Sequence, residues 1–407
     1  MDPFVMISSM INSLDSMGAP TVGAAIRLAR RSRGWSQDVL ARRIVAARLA
    51  GGESVDPAAV KTQLSRWEND RVTPDRHTRQ VLADVFSTTT DALFGLQPAA
   101  DLPRPVLVEA HVTAHTVELL RARRAVHAQT EASFGPAEAS LLVSHDLATI
   151  DGLLRIVPES LSAELHEVAA MIAELGGWIA QDSGDTAGAL SCTTRAHMHA
   201  QAANNPHLEA MILMRWANVV AASDPRTSST LSARAESLEC TSPPNRLQAA
   251  IARQKGIAAA VLGDRNTFET EIRRAHEYAT LPAMAGDLAP YADPAYIASE
   301  EADALLLLGE PESAAATLAG HIESWAPGQE RDHAVALARW LRALTMTGDT
   351  QGALGQADLV LQAYERAPSV RSRSALQAIT RMRPAGDEIH HTALRRRIAG
   401  TIEGTRP

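Results

Sequence analysis

Four side chains between positions 61 and 66 have the types and spacing to read a nucleic acid. Lys61, Thr62, Ser65 and Arg66 combine long cationic donors with short hydroxyls. On a helix they share one face, from which they can reach base edges and phosphate oxygens. The helix is signalled by Asp56-Pro57, an N-cap side chain followed by a proline at the first helical position. Val60, Leu64 and Trp67 recur at i, i+4 and i+7, so the other face is apolar and must pack. Periodicity alone leaves open an ordinary amphipathic helix with a solvated polar face.

Signatures of catalysis and metal binding are missing. The sequence holds no P-loop, no G-x-S-x-G elbow, no HExxH and no CxxC. His166-Glu167 and His276-Glu277 begin like a metalloprotease helix, but Ala170 and Thr280 stand where a second histidine is required. His111, His115 and Glu118 share a helix face and read as a solvated surface before they read as ligands. Cys192 and Cys240 are far apart in sequence and fit two packed thiols in a reducing cytoplasm. No enzymatic activity, cofactor or metal is expected.

Other elements must position the 61–66 face. Ser36 reads as the N-cap of an earlier helix with Leu40, Ala41 and Ile44 facing inward. Three stretches, IRLARRSRGWSQDVLA (Ile26 to Ala41), LSRWENDRVTPD (Leu64 to Asp75) and VLADVFSTTTDALFG (Val81 to Gly95), carry a resemblance. Over residues 21–97 the chain resembles the XRE-type helix-turn-helix regulators of bacteria. The resemblance implies a five-helix, lambda-repressor-like domain whose Val60–Trp67 helix enters the major groove. It puts Lys61, Thr62, Ser65 and Arg66 at base-reading positions and Gln37 at a phosphate-contacting one. It also matches Arg30 and Glu68 to a pair tying the first helix to the end of the recognition helix. One departure is an excess of about a dozen residues between Gln37 and Glu68. The excess is placed in Ala46–Val55, where Gly51 and Gly52 can supply a turn.

Composition sets the fold class. The 407 residues are 45% hydrophobic but only 4% aromatic and rich in alanine, which favours closely packed helices over sandwiches or barrels. The net charge of −8 is uneven: residues 21–97 carry 12 basic and 8 acidic side chains, whereas 98–407 carry 27 against 37. A basic module on an acidic body fits a site-reading DNA binder that does not coat DNA. Residues 1–20 read as a frayed tail without signal-peptide character, and no apolar run reaches membrane-spanning length. Residues 98–105 read as a proline-rich linker, and 106–160 as a helical pair divided at Phe134-Gly135-Pro136.

From 161 to 407 the chain repeats. Gly184-Asp185, Ser223-Asp224, Gly263-Asp264, Gly309-Glu310 and Gly348-Asp349 are small-acidic turns between helical patterns, their acids separated by 39, 40, 46 and 39 residues. Regular spacing marks stacked helical hairpins. Twelve residues after each small turn residue stand Ala196, Ala235, Ala275, His321 and Val360. The pattern resembles a degenerate tetratricopeptide array with units longer than the usual 34 residues. The 46-residue step contains Leu281–Pro294, a loop that reads either as a lid over the inner surface or as a plain spacer.

The expected architecture is therefore all-α: a helix-turn-helix domain followed by a superhelix of tetratricopeptide-like hairpins. In such an array the first helix of each hairpin lines the concave face. Counting back from the turns puts Glu174, Trp178, Gln181, Arg215, Asn218, Arg253, Tyr296, Asp303 and Arg342 on or near that face. Their aromatic, arginine and amide groups suit a peptide or small polar effector, while Trp178 and Tyr296 also suit packing between repeats. The combined resemblance implies a cytoplasmic, dimeric transcription factor, a repressor reading a palindromic operator, gated by that effector. The rival expectation is a protein-interaction scaffold whose helix-turn-helix domain is vestigial.

Overall fold

Each small-acidic turn has a physical meaning in three dimensions. Gly184, Gly263, Gly309 and Gly348 adopt φ between 77° and 86°, the left-handed conformation that ends a helix and favours glycine. At three of these turns the acid that follows caps the next helix: Asp185 accepts from Gly188 N at 2.9 Å, Asp264 from Thr267 N at 3.1 Å and Asp349 from Gly352 N at 2.8 Å, while Glu310 holds the N-cap place without a side-chain bond. Asp224 caps through Thr227 N at 3.0 Å without a preceding glycine. One dipeptide thus stops one helix and starts the next.

The computed structural model describes residues 22–32, 35–50, 55–86, 90, 93, 112–238, 244–284, 286–383 and 387–404. All regular structure among these residues is helical, as the composition predicts. None of the described helices is long and apolar enough to cross a membrane. The 1–20 tail, the 98–105 linker, Gly51, Gly52, His111 and Cys240 lie outside the described residues. The chain divides into two units, Met1–Pro103 and Arg104–Pro407.

In the first unit, α1 (Val22–Ser32), α2 (Gln37–Ala50), α3 (Pro57–Glu68) and α4 (Arg76–Val85) enclose one core. Val60, Leu64 and Trp67 are buried there with Ile26, Leu40, Ile44, Leu82 and Phe86. Ser36 and Asp75 cap α2 and α4 through Val39 N and Thr78 N. Helix α2 continues through Ala50, so half of the turn placed at Ala46–Val55 is helical instead. The added turns are held by Arg48, whose Nη2 donates to Thr78 Oγ1 on α4 at 2.8 Å.

The second unit begins with α5 (Ala114–Phe134) and α6 (Pro136–Leu153), and hairpins follow. Helices α7 (Glu159–Asp182) and α8 (Thr186–Ala202) form the first, α9 (Pro206–Val220) and α10 (Pro225–Ser237) the second. Next come α11 (Asn245–Leu262) with α12 (Arg265–Thr280), and α13 (Pro294–Leu307) with α14 (Pro311–Ala319). Helices α15 (Glu330–Thr347) with α16 (Thr350–Arg366), and α17 (Val370–Arg381) with α18 (Glu388–Gly404), complete the stack. The first helices pack on one another in succession, α7 on α9, α9 on α11, and so on to α17.

Small residues set the spacing within hairpins. Gly177 lies against Thr193 and Gly256 against Ile272, where an added Cβ would sit 3.0 Å from the neighbour. Ala196, Ala235, Ala275 and Val360 are buried at the matching places. His321 breaks the pattern, because α14 stops at Ala319 and leaves it half-buried beyond the helix.

The hairpin stack curls far enough for its ends to meet. Asp182 at the end of α7 accepts from Arg371 Nε on α17 at 2.8 Å and pairs with Arg331 on α15 at 3.4 Å. These partners are 149 and 189 positions away in sequence.

Candidate functional site

The polar face of α3 is built from below. Glu68, 2% exposed, receives Arg30 Nε at 2.6 Å and Arg30 Nη2 at 2.9 Å, a two-pronged pair, and Gln37 Nε2 at 2.8 Å. Arg27 donates to the Glu68 carbonyl, and Arg30 Nη1 to Trp35 O at 2.9 Å. Burial pushes the Glu68 carboxyl up, but the Arg30 and Gln37 hydrogen bonds outweigh it and hold the group below its usual range. The expected Arg30–Glu68 pair is thus formed, and it locks α1, α2 and the end of α3 together.

Backbone contacts tighten the joint. A Cβ on Gly23 would collide with the Trp67 carbonyl oxygen, and Gly23 N donates to Asp70 Oδ1 at 2.8 Å. Asp70 takes a left-handed φ of 53°, which a short polar side chain tolerates. Trp35 stacks on Phe86 with centroids 5.6 Å apart, and the Arg43 guanidinium lies 4.2 Å above the Trp35 ring.

Above this base Lys61, Thr62 and Arg66 are exposed and Ser65 is half-buried. Lys61 Nζ pairs with Asp38 Oδ1 on α2 at 2.6 Å; both side chains are more than half exposed. The Lys61 hydrogen bond holds the Asp38 carboxyl below its usual range, with a smaller contribution from Arg42. So open a pair is easily exchanged for another anion. Ser65 accepts through its carbonyl from Asn69 Nδ2 at 2.7 Å. Sequence reasoning did not single out Arg42 or Arg71, exposed cations flanking this surface. Their signal was available only as charge, because neither sits on the polar face of α3.

The residues expected on the inner face of the hairpin stack do converge, but on one another. Glu174 pairs with Arg215 at 3.1 Å and with Arg124 of α5 at 3.3 Å. Gln181 donates to Asn218 at 2.8 Å and accepts from Arg215 at 3.2 Å; Asn218 donates to Gln254 at 3.1 Å. Arg253 is fully buried, bonded to Gln254 at 2.7 Å and paired with Glu300 at 3.4 Å, its guanidinium 5.5 Å over the Tyr296 ring. Arg339, absent from the expected set, donates to Glu300 at 2.8 Å and to Asp303 at 3.1 Å; Arg342 lies 3.6 Å from Asp303. Trp178 is half-buried, with the Arg331 guanidinium 5.9 Å from its ring.

Within this ladder each carboxylate is shared by two guanidiniums. Burial raises the Glu300 carboxyl, but Arg339 and Arg253 overcome it and hold the group at about 2. Burial likewise opposes charge on Arg253, and Tyr296 and Glu300 reverse that. Glu300, Gln254 and Arg339 escaped sequence reasoning because they adjoin the counted positions and look like ordinary helix polar residues.

The described part of the Leu281–Pro294 loop is tied to its surroundings. Asp287 accepts from Arg246 N at 2.9 Å and Asp293 from Gln329 Nε2 at 2.8 Å. Tyr291 meets Tyr296 edge to face at 5.1 Å and lies within the fields of Arg215, Arg253 and Glu174. The described portion of the loop thus adds an aromatic group to the ladder. A cleft of about 50 Å³ between the meeting ends is lined by Pro136, Asp182, Ser183, Arg331, Pro368, Ser369 and Val370.

Among the described residues no cluster of three or more His, Cys, Asp or Glu side chains could hold a metal ion. Cys192 is buried against Gly176 and Gly177, and burial pushes its thiol up to about 11. Compared with protein-family models, with curated proteins and with solved structures, the chain matches none of them.

Proposed function

We propose that this chain is a sequence-specific DNA-binding transcriptional regulator of the XRE helix-turn-helix type, with α3 as its reading helix. The observation that supports this most is the contrast across α3. Its base is fixed by Arg30 and Gln37 closing on the buried Glu68, while Lys61, Thr62 and Arg66 stand in solvent. A reading helix needs both, because base contacts demand a rigid platform and desolvatable donors. Ser65 contributes a hydroxyl at the margin. An amide carries two N–H bonds, so the Gln37 bond to Glu68 leaves one for a phosphate. Phosphate would displace Asp38 from Lys61.

The second unit acts in this reading as the tetratricopeptide-like sensor of a peptide or small polar effector and as the seat of dimerisation. Helix-turn-helix dimers read two half-sites about one helical turn apart, so the operator is a palindrome and repression the simplest outcome. The effector-facing set runs from Glu174 to Arg342, with Asn218 as the bridge between Gln181 and Gln254. Coupling is reciprocal: an effector that lowers DNA affinity must bind more weakly when DNA is bound.

A mobility-shift assay of the full chain against its own upstream region tests the regulator reading. A discrete complex that survives non-specific competitor supports it. A protein that folds and binds no such site is the scaffold instead.

A further inference from the structure

We propose that the junction between α7 and the α15–α17 end is an ionic latch that holds the hairpin stack closed, and that the second unit has an open state reached by releasing it. The junction differs from the described contacts between neighbouring hairpins, where ion pairs sit beside a shared apolar core. Neighbouring hairpins share continuous apolar cores. The closing contact is made chiefly of charge. Asp182, 5% exposed, takes both Arg371 and Arg331. Arg331 also pairs with Glu131 of α5 and faces the Trp178 ring, and Arg371 also pairs with Asp332 at 2.9 Å. Apolar groups there include Pro136 and Pro368 along the cleft and Val370 against the Gly184 turn, where a Cβ on Gly184 would lie 3.7 Å from Val370 Cγ1.

Three carboxylates therefore share two guanidiniums, Arg371 remains 29% exposed, and an open cleft adjoins the contact. An apolar seam of the same extent would open only with loss of buried surface. Salt and competing charged groups reach the seam at its open edge, Arg371 and Asp332, while the inner Asp182–Arg331–Glu131 pairs are screened less. Its position gives the latch a consequence. While it is shut, the middle of the ladder, Arg253, Glu300 and Arg339, is enclosed by its own helices, and its Asp303–Arg342 end stays partly open. Release would let the ends part and bring water, or a ligand, to that ladder. The latch stands on these contacts alone; only its use in gating an effector rests on the regulator reading.

A cross-link in the full-length protein tests it without DNA or effector. In a Gly184→Cys/Val370→Cys double variant the two sulfurs fall within disulfide reach, and oxidation should close an intramolecular bond seen as a mobility change on a non-reducing gel. Adding Arg371→Ala is expected to slow that cross-linking by about tenfold, and 1 M NaCl by a smaller factor, while the helical circular-dichroism spectrum stays unchanged. Because Gly184→Cys puts a side chain on a left-handed backbone site and could impair folding, amide exchange on the single variant Arg371→Ala gives a second reading. Exchange should rise at Ile179–Gly184 and in the first turn of α17 and stay as in wild type in α11 and α12. Cross-linking indifferent to both salt and Arg371→Ala, or unchanged exchange at both ends, overturns the latch.

Discussion

The two units bury charge in opposite ways. In the first, Arg30 and Gln37 converge on Glu68 beneath α3, and the cations above them remain in solvent. In the second, the polar residues on the inner helices pair with one another across hairpins until Arg253 is fully buried. Register identifies which face a polar side chain occupies. Whether that face is already satisfied depends on what the neighbouring helix contributes.

The contrast is broken most severely at Glu300. It serves two buried arginines, so Glu300→Ala leaves Arg253 and Arg339 without their shared carboxylate. A loss of about 3–5 kcal/mol is expected in the second unit's unfolding transition, read by chemical denaturation. Unchanged stability would mean that water reaches the ladder freely. Glu68→Ala is the equivalent cut in the first unit and should lower its melting temperature by slightly less, since Arg30 keeps its bond to Trp35 O.

The same pair gives the first unit a pH signature. The Glu68 carboxyl lies below its unfolded value, so its stabilisation is present above about pH 4.3 and is lost as pH falls through the lower folded value. Glu68→Gln should flatten the acid limb of a melting-temperature profile. An identical acid limb in wild type and variant would place the acid sensitivity elsewhere.

A smaller effect separates turns from both networks. Asp224 caps α10 without a glycine before it. Asp224→Ala should cost about 1 kcal/mol, with no change in DNA or effector binding. A loss several times larger would show that this turn also carries tertiary contacts.

How much was legible follows the range of each interaction. The Gly-Asp turns were readable because stopping one helix and capping the next are local acts, confined to four or five residues. Helix α3 was readable from Asp56-Pro57 and the Val60, Leu64, Trp67 spacing, and all three apolar residues are buried. The Arg30–Glu68 pair came through resemblance, not spacing. The run of α2 to Ala50 was missed because Arg48 is anchored by Thr78, thirty positions on. The counted inner positions lie on the first helices of their hairpins, yet their mutual pairing was invisible, since it needs Gln254, Glu300 and Arg339 at neighbouring registers. Nothing local in the sequence joins Asp182 to Arg371.

The central claim is that the exposed side of α3 reads DNA while its buried side only holds it in place. Its most direct test is a fluorescence-anisotropy titration of the full chain with its own upstream duplex and a scrambled duplex, comparing wild type with Lys61→Ala and Arg66→Ala. Wild type should prefer the upstream duplex. Each variant should weaken that specific binding by about 1–3 kcal/mol and keep the wild-type melting temperature. Specific affinity unchanged in both variants would contradict the account.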